Sequence, residues 1–228
     1  MLPAGVFPHL IGHSAFVDRI GLSIWGRRRK RLPSSIQILD NPAIGGPGRL
    51  YARSIHASFL PTRNPLELRY GRTRPYPHVP QLRLFLRSEK TPLTAAQVIA
   101  ALLALVRKNA RIHLSVLEWT FDLDDFDFGY VRSHLVPGRR SLRKFSDDDK
   151  KRTLYLGCPT SPWQLRVYEK AETVLRIEFV FRLPFLRAHG IEQPVDVLHL
   201  RNVDLWRGVL RGARLRSQMN RMQRQFIW

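Results

Sequence analysis

The chain has a single cysteine, Cys158, in 228 residues. One thiol excludes an intrachain disulfide framework and a cysteine-built zinc site, and it suits a reducing compartment. Acidic residues are scarce: 18 Asp and Glu stand against 38 Lys and Arg, a formal charge of +20. Long apolar runs are missing. The longest, Ala95 to Val106, is too short to cross a bilayer. The first ten residues lack the charged start and long apolar stretch of a secretory signal. A cytoplasmic protein without a membrane span is the expectation. Nucleotide-loop and paired-CxxC motifs are absent, and the eight histidines are scattered, so no histidine metal centre is suggested.

What is present is a basic chain with ample material for a core. Hydrophobic residues make up 44%, which rules out a disordered composition. Arginine dominates the basic excess, and its planar fork suits phosphate oxygens, so the expected partner is nucleic acid. Arg27, Arg28, Arg29, Lys30 and Arg31 form an unbroken basic run. Their mutual repulsion predicts an exposed loop, either a solvated linker or a phosphate-contacting arm.

Period-two alternation predicts strands over 15–25, 49–59, 66–70, 81–87, 111–123, 153–158, 163–170 and 174–182. A helix is expected from Ala95 to Lys108, with Thr94 as its cap, and another short one over Pro184 to Gly190. A short helical stretch is expected near Tyr130 to Leu135. Ser141 to Arg152 reads as a charged connection, and His199 to Gln223 as a basic helix. The fold class is α+β: a central, mainly antiparallel sheet with helices on one face. No composition shift forces a boundary, so the chain reads as one domain over 1–228, with a sheet core over 15–199 and a basic C-terminal helix over 200–228.

The strands from Trp163 and Val174 carry the most information. A three-residue turn pairs Tyr168 with Arg176 and Arg166 with Glu178, leaving one apolar face and one face of tyrosines, arginines, Lys170 and Glu178. A solvated sheet face with a cross-strand ion pair yields the same alternation, so pattern alone leaves both readings open. Glu118 and Asp122 share a face of the strand 111–123. At a rise of ~3.3 Å per residue they lie about 13 Å apart, too far to share one ion. Either one together with Glu178 makes a candidate metal pair; an acidic helix start before Tyr130 is the alternative use of the nearby aspartates.

The stretch Tyr155-Leu156-Gly157-Cys158, Ser161, Arg166-Val167-Tyr168-Glu169-Lys170 and Arg176-Ile177-Glu178 resembles the signature of trans-acting rolling-circle replication initiators of plasmids, phages and other mobile elements. The strand LEWTFDL and the opening VDRIGLSIW are similar to the family's central and first strands. Cys158 stands where the family more often has Ser, and no separate origin-recognition domain is evident. The resemblance implies a DNA endonuclease and strand transferase. Tyr168 would be the nucleophile forming a 5′-phosphotyrosine link, assisted by Arg166, Lys170, Arg176 and Glu178. It further implies Mg²⁺ or Mn²⁺ held by Glu178 with Glu118 or Asp122, and single-stranded DNA or an origin hairpin as partner. A host polymerase would extend the freed 3′-hydroxyl, with a host helicase as a further partner. The basic run, Trp163 and Arg182 would contact the nucleic acid. The alternative is a catalytically inactive DNA- or RNA-binding protein on the same scaffold. Tyr155 is a second, weaker nucleophile candidate.

Overall fold

Alternating apolar residues become the buried side of paired strands. The computed structural model describes residues 14–32, 34–44, 49–59, 63–74, 76–89, 93, 95–107, 109–124, 127–129, 132, 135–137, 143–148, 151–194, 196 and 213–215. Two compact units are interleaved along the chain: Val17–Glu118 with Leu186–Leu198, here the upstream unit, and Met1–Phe16 with Trp119–Phe185 and His199–Trp228, here the hairpin unit. Neither is a continuous stretch, which accounts for the lack of any compositional boundary.

The upstream unit contains β1 (Ser14–Trp25, from Val17 on), β2 (Ile36–Asp40), β3 (Tyr51–Phe59), β4 (Asn64–Arg72), β5 (Leu82–Arg87), helix α1 (Ala95–Leu105) and the first part of β6 (Arg111–Asp124). Its strand order is β2-β3-β4-β5-β1-β6. The pairs β1·β5, β2·β3, β3·β4 and β4·β5 are antiparallel. Ile20, Leu22, Ile24, Leu68 and Leu84 are buried at alternate positions along these strands. Each such side chain contributes roughly 1.5–3 kcal/mol.

In α1 the buried residues are Val98, Ala101, Leu102 and Leu105, the spacing of one helical face. The helix has no basic residue in its last turn. The basic run supplies what that end lacks. The Arg29 amide donates to Leu105 O at 2.9 Å, and Arg29 Nε donates to Val106 O at 3.3 Å. Cations at a helix C-terminus satisfy its open carbonyls and its negative dipole end. The segment is therefore tied to α1 by its backbone, with Arg27, Arg29, Lys30 and Arg31 exposed.

The hairpin unit contains the end of β6 (from Trp119), then β7 (Leu135–Pro137), β8 (Arg143–Asp148), β9 (Lys151–Leu156), β10 (Trp163–Ala171) and β11 (Val174–Arg182). Helix α2 (Leu183–Ala188) follows, with its residues from Leu186 on counted in the upstream unit, and β12 (Ala213–Leu215) pairs antiparallel with β7. The order is β6-β11-β10-β9-β8, with β8·β9, β9·β10 and β10·β11 antiparallel. The apolar side of the meander is buried as expected: Leu154, Leu156, Leu165, Val167, Leu175, Ile177, Phe179 and Phe181. Phe179 and Phe181 stack with centroids 5.9 Å apart, and Phe181 stacks on Phe185 at 4.5 Å.

Four stretches differ from expectation or lie largely outside the described residues. The charged stretch expected as a connection forms strands instead: β8 pairs with β9, setting Asp147 opposite Arg152 and Asp148 opposite Lys151. Opposite charges at facing positions favour pairing, so charge did not mean loop. Ile36–Asp40, read as no element, is an edge strand. The stretch Tyr130–Leu135 is only partly described, and Leu135 already begins a strand. The helix over 199–223 lies outside the described residues except for Ala213–Leu215, which are extended. Among the described residues, no helix is long and apolar enough to cross a membrane.

Candidate active site

The β10–β11 hairpin sets the geometry. Tyr168 faces Arg176 and Arg166 faces Glu178, as the alternation predicts, although the turn differs. Ala171 pairs with Val174, and the register shifts between Glu169 and Ala171. A tighter turn with one extra residue in β10 gives the same register as the longer turn. Tyr155 of β9 faces Arg166.

Tyr168 is half-buried, and its hydroxyl donates a short hydrogen bond to Glu178 Oε1, diagonally across the hairpin. Glu178 is 6% exposed and also pairs through Oε2 with Arg166 Nη1 at 3.5 Å. Arg166 Nε donates to Gln164 Oε1 at 3.3 Å. From β6, Asp122 takes a bidentate bond from Arg176, Nε to Oδ1 at 2.6 Å and Nη2 to Oδ2 at 2.7 Å. Lys170 Nζ reaches Asp122 Oδ2 at 2.9 Å. The Arg176 guanidinium also lies over the Phe16 ring, 5.4 Å from its centroid. Tyr168, Arg166, Lys170, Arg176, Glu178 and Asp122 thus form one cluster within the hairpin unit.

Electrostatics oppose a free phenolate. Burial pushes the Tyr168 phenol well above its ordinary value, the bond and charge of Glu178 push it further, and Arg176 acts against both. Burial alone would raise the Asp122 carboxyl; the bonds and charges of Arg176 and Lys170 outweigh it and hold the group below its usual range. Arg176 is correspondingly held charged: burial works against it, and Asp122 more than compensates.

The polar side of the meander is less open than alternation suggests. Gln164 is 3% exposed, and its Nε2 donates to Gly157 O at 3.2 Å. This buried amide, which the sequence reading passed over, ties Arg166 to the β9–β10 turn. A polar residue on a polar face carried no signal of it. In that turn Gly157 has φ of +81°, and Cys158 Sγ lies 3.0 Å from Ser161 Oγ and 3.2 Å from Thr160 Oγ1. The hydrogen bonds of Ser161 and then Thr160 lower the Cys158 thiol to about 7.

Of the carboxylates expected to hold Mg²⁺ or Mn²⁺, Asp122 and Glu178 fall in the hairpin unit. Glu118 belongs to the upstream unit, where it is 5% exposed and pairs with Arg19 Nη2 at 2.6 Å. Both oxygens of Asp122 carry cations, and Glu178 carries a phenol and a guanidinium. Cations already on these oxygens repel a further one. Among the described residues, no three His, Cys, Asp or Glu side chains are grouped to hold a metal ion.

The residues expected at nucleic acid divide between the units. Arg27 to Arg31 lie in the upstream unit at the end of α1, with Arg28 over the Tyr70 ring at 4.8 Å. Trp163 is half-buried opposite Phe181. Arg182 Nη1 donates to Ser161 O at 2.9 Å and so braces the turn.

No family model matches the chain, and no curated protein matches it. Among solved structures, it is similar to that of a rolling circle replication initiator protein from Geobacillus stearothermophilus. The two share 12% identity with a TM-score of 0.53, over 93% of this chain and 91% of that one. At that identity the likeness is one of fold: an α+β chain with a mainly antiparallel sheet, arranged like a rolling-circle replication initiator.

Proposed function

We propose that this protein is a replication-initiator-like DNA nicking and strand-transfer enzyme with Tyr168 as its nucleophile. The observation that supports it best is the Tyr168 hydroxyl bonded to a buried carboxylate, Glu178, beside an arginine anchored at both ends of its fork. The initiator-like fold and the charge of +20 agree with a DNA substrate.

In this reading the phenol proton passes to Glu178 as Tyr168 Oη forms its bond to phosphorus. The bond from phosphorus to the 3′ oxygen breaks, and that oxygen takes a proton from water. The products are a 5′-phosphotyrosine and a free 3′-hydroxyl. Because burial and Glu178 keep the phenol protonated at neutral pH, the proton leaves only as the new bond forms. That is general-base catalysis, worth about 10²–10⁴-fold. Arg176, with Arg166 and Lys170, offsets charge that develops on the phosphorane.

A second reading keeps the scaffold and drops the chemistry: a DNA- or RNA-binding protein with a silent tyrosine. The raised phenol favours it. Labelled single-stranded DNA, incubated with and without Mg²⁺ or Mn²⁺ and run on a denaturing gel, separates the two. A covalent adduct lost in Tyr168→Phe supports nicking. Salt-sensitive binding with no adduct over a broad set of origin-like oligonucleotides supports the binding protein.

A further inference from the structure

In the upstream unit the β4–β5 register sets Arg69 directly opposite Arg83. Facing like charges destabilise a sheet unless something neutralises them. Arg69 is neutralised: its Nε and Nη2 donate to Glu67 Oε1 and Oε2 at 2.7 and 3.1 Å. Arg83 is not. Its Nε is buried without an acceptor, and among the described residues its side chain has no hydrogen-bond or ion-pair partner. A buried donor of a charged group left unbonded calls for an explanation.

Both arginines line one pocket of about 520 Å³, together with Glu67, Arg49, Leu50 and Tyr51. Tyr51 is fixed by its bond to Pro80 O at 2.8 Å. Burial raises its phenol, while the charges of Arg83, Arg72 and Arg69 draw it down. Arg72 is held by the carbonyls of Tyr76 and Val79. Arg49 is exposed, and its side chain too lacks an acceptor among the described residues. The one carboxylate in the lining is already shared between Arg69 and His56, the latter at 3.6 Å. What remains is a concave site with two unneutralised guanidinium groups, one of them partly desolvated, and an apolar wall at Leu50.

We propose that this pocket binds a phosphate group of a nucleotide, with Arg83 and Arg49 donating to its oxygens and the nucleoside lying against Leu50. Guanidinium forks match phosphate geometry, and a phosphate in the pocket gives the Arg83 guanidinium the counter-charge it lacks among the described residues. The phosphate can belong to a free nucleotide or to a DNA strand. The site does not rest on Tyr168, because every residue in it belongs to the upstream unit.

The test follows arginine Nε–H resonances of the full chain during titration with inorganic phosphate, a deoxynucleoside 5′-monophosphate, or a short single-stranded oligonucleotide. Potassium chloride at matched ionic strength is the control. The expected result is a saturable shift of the Arg83 Nε–H signal, with Arg83→Gln and Arg49→Gln each weakening binding about tenfold. If the variants weaken oligonucleotide binding as well, the phosphate is that of a strand. If they weaken only the two small probes, the pocket takes free nucleotide. Arg49 is exposed, so its variant keeps the fold. An Arg83 signal that moves no more than in chloride, with both variants binding all three probes like the parent protein, overturns the proposal.

Discussion

Tyr168 and Glu178 are joined across the diagonal of the β10–β11 hairpin by a short hydrogen bond in which the phenol donates. Burial, together with the bond and the charge of the carboxylate, holds the phenol above its ordinary value. The carboxylate is nearly sealed from solvent, while the ring is only half-buried. Perturbing either residue should therefore alter both the chemistry and the alkaline stability of the fold.

Glu178→Gln keeps the shape and the acceptor oxygen but removes the base. Adduct formation should fall about 10²–10⁴-fold, with single-stranded DNA affinity little changed. The phenol should titrate lower than in the parent protein, because the charge of Glu178 raises it. Rate measurements and absorbance titration of the phenolate check the two effects. An unchanged rate removes Glu178 from the mechanism.

The same raised phenol has a consequence for stability. A group whose pKa is higher when folded stabilises the fold below its unfolded value, and that stability is lost as pH rises toward the folded one. The window here opens near ~10, the ordinary tyrosine value. Melting temperature should fall from there upward, and Tyr168→Phe should flatten this limb.

Asp122 works in the opposite sense. Its carboxyl is held low by Arg176 and Lys170, so its contribution is present above the ordinary carboxylate value of ~4 and is lost as pH falls below it. Asp122→Asn removes the charge opposite a half-buried Arg176. The pair is neither sealed nor fully solvated, so a loss of about 2 kcal/mol at neutral pH is expected. The variant's acid limb should be shallower than that of the parent protein in a melting series.

The β9–β10 turn predicts two further outcomes. The Cys158 thiol, lowered to about 7 chiefly by Ser161, should react with iodoacetamide with a pH midpoint near that value. Ser161→Ala should move the midpoint upward, and no movement would show that the hydroxyl does not set it.

Gly157 has φ of +81°, and a Cβ there would stand 2.8 Å from Trp163 O. Gly157→Ala should cost about 1–3 kcal/mol in denaturant unfolding, since left-handed strain adds to the clash with fixed backbone.

Read by itself, the sequence determined the local order. Apolar alternation has a period of two, so it marks β1, β3, β5, β6, β10 and β11 and the buried side of the meander without knowledge of neighbours. The short link between β10 and β11 made even their facing pairs legible, Tyr168 with Arg176 and Arg166 with Glu178. Tertiary structure decided whatever depends on partners remote in the chain. Asp122 meets Arg176 and Lys170 because β6 lies beside β11. The basic run meets the open carbonyls of α1, and Arg69 meets Arg83, only once strands choose their neighbours. Charge pattern carries no such information. A carboxylate or guanidinium reads the same in sequence whether water, an ion pair or a buried hydrogen bond satisfies it, and only packing selects among them.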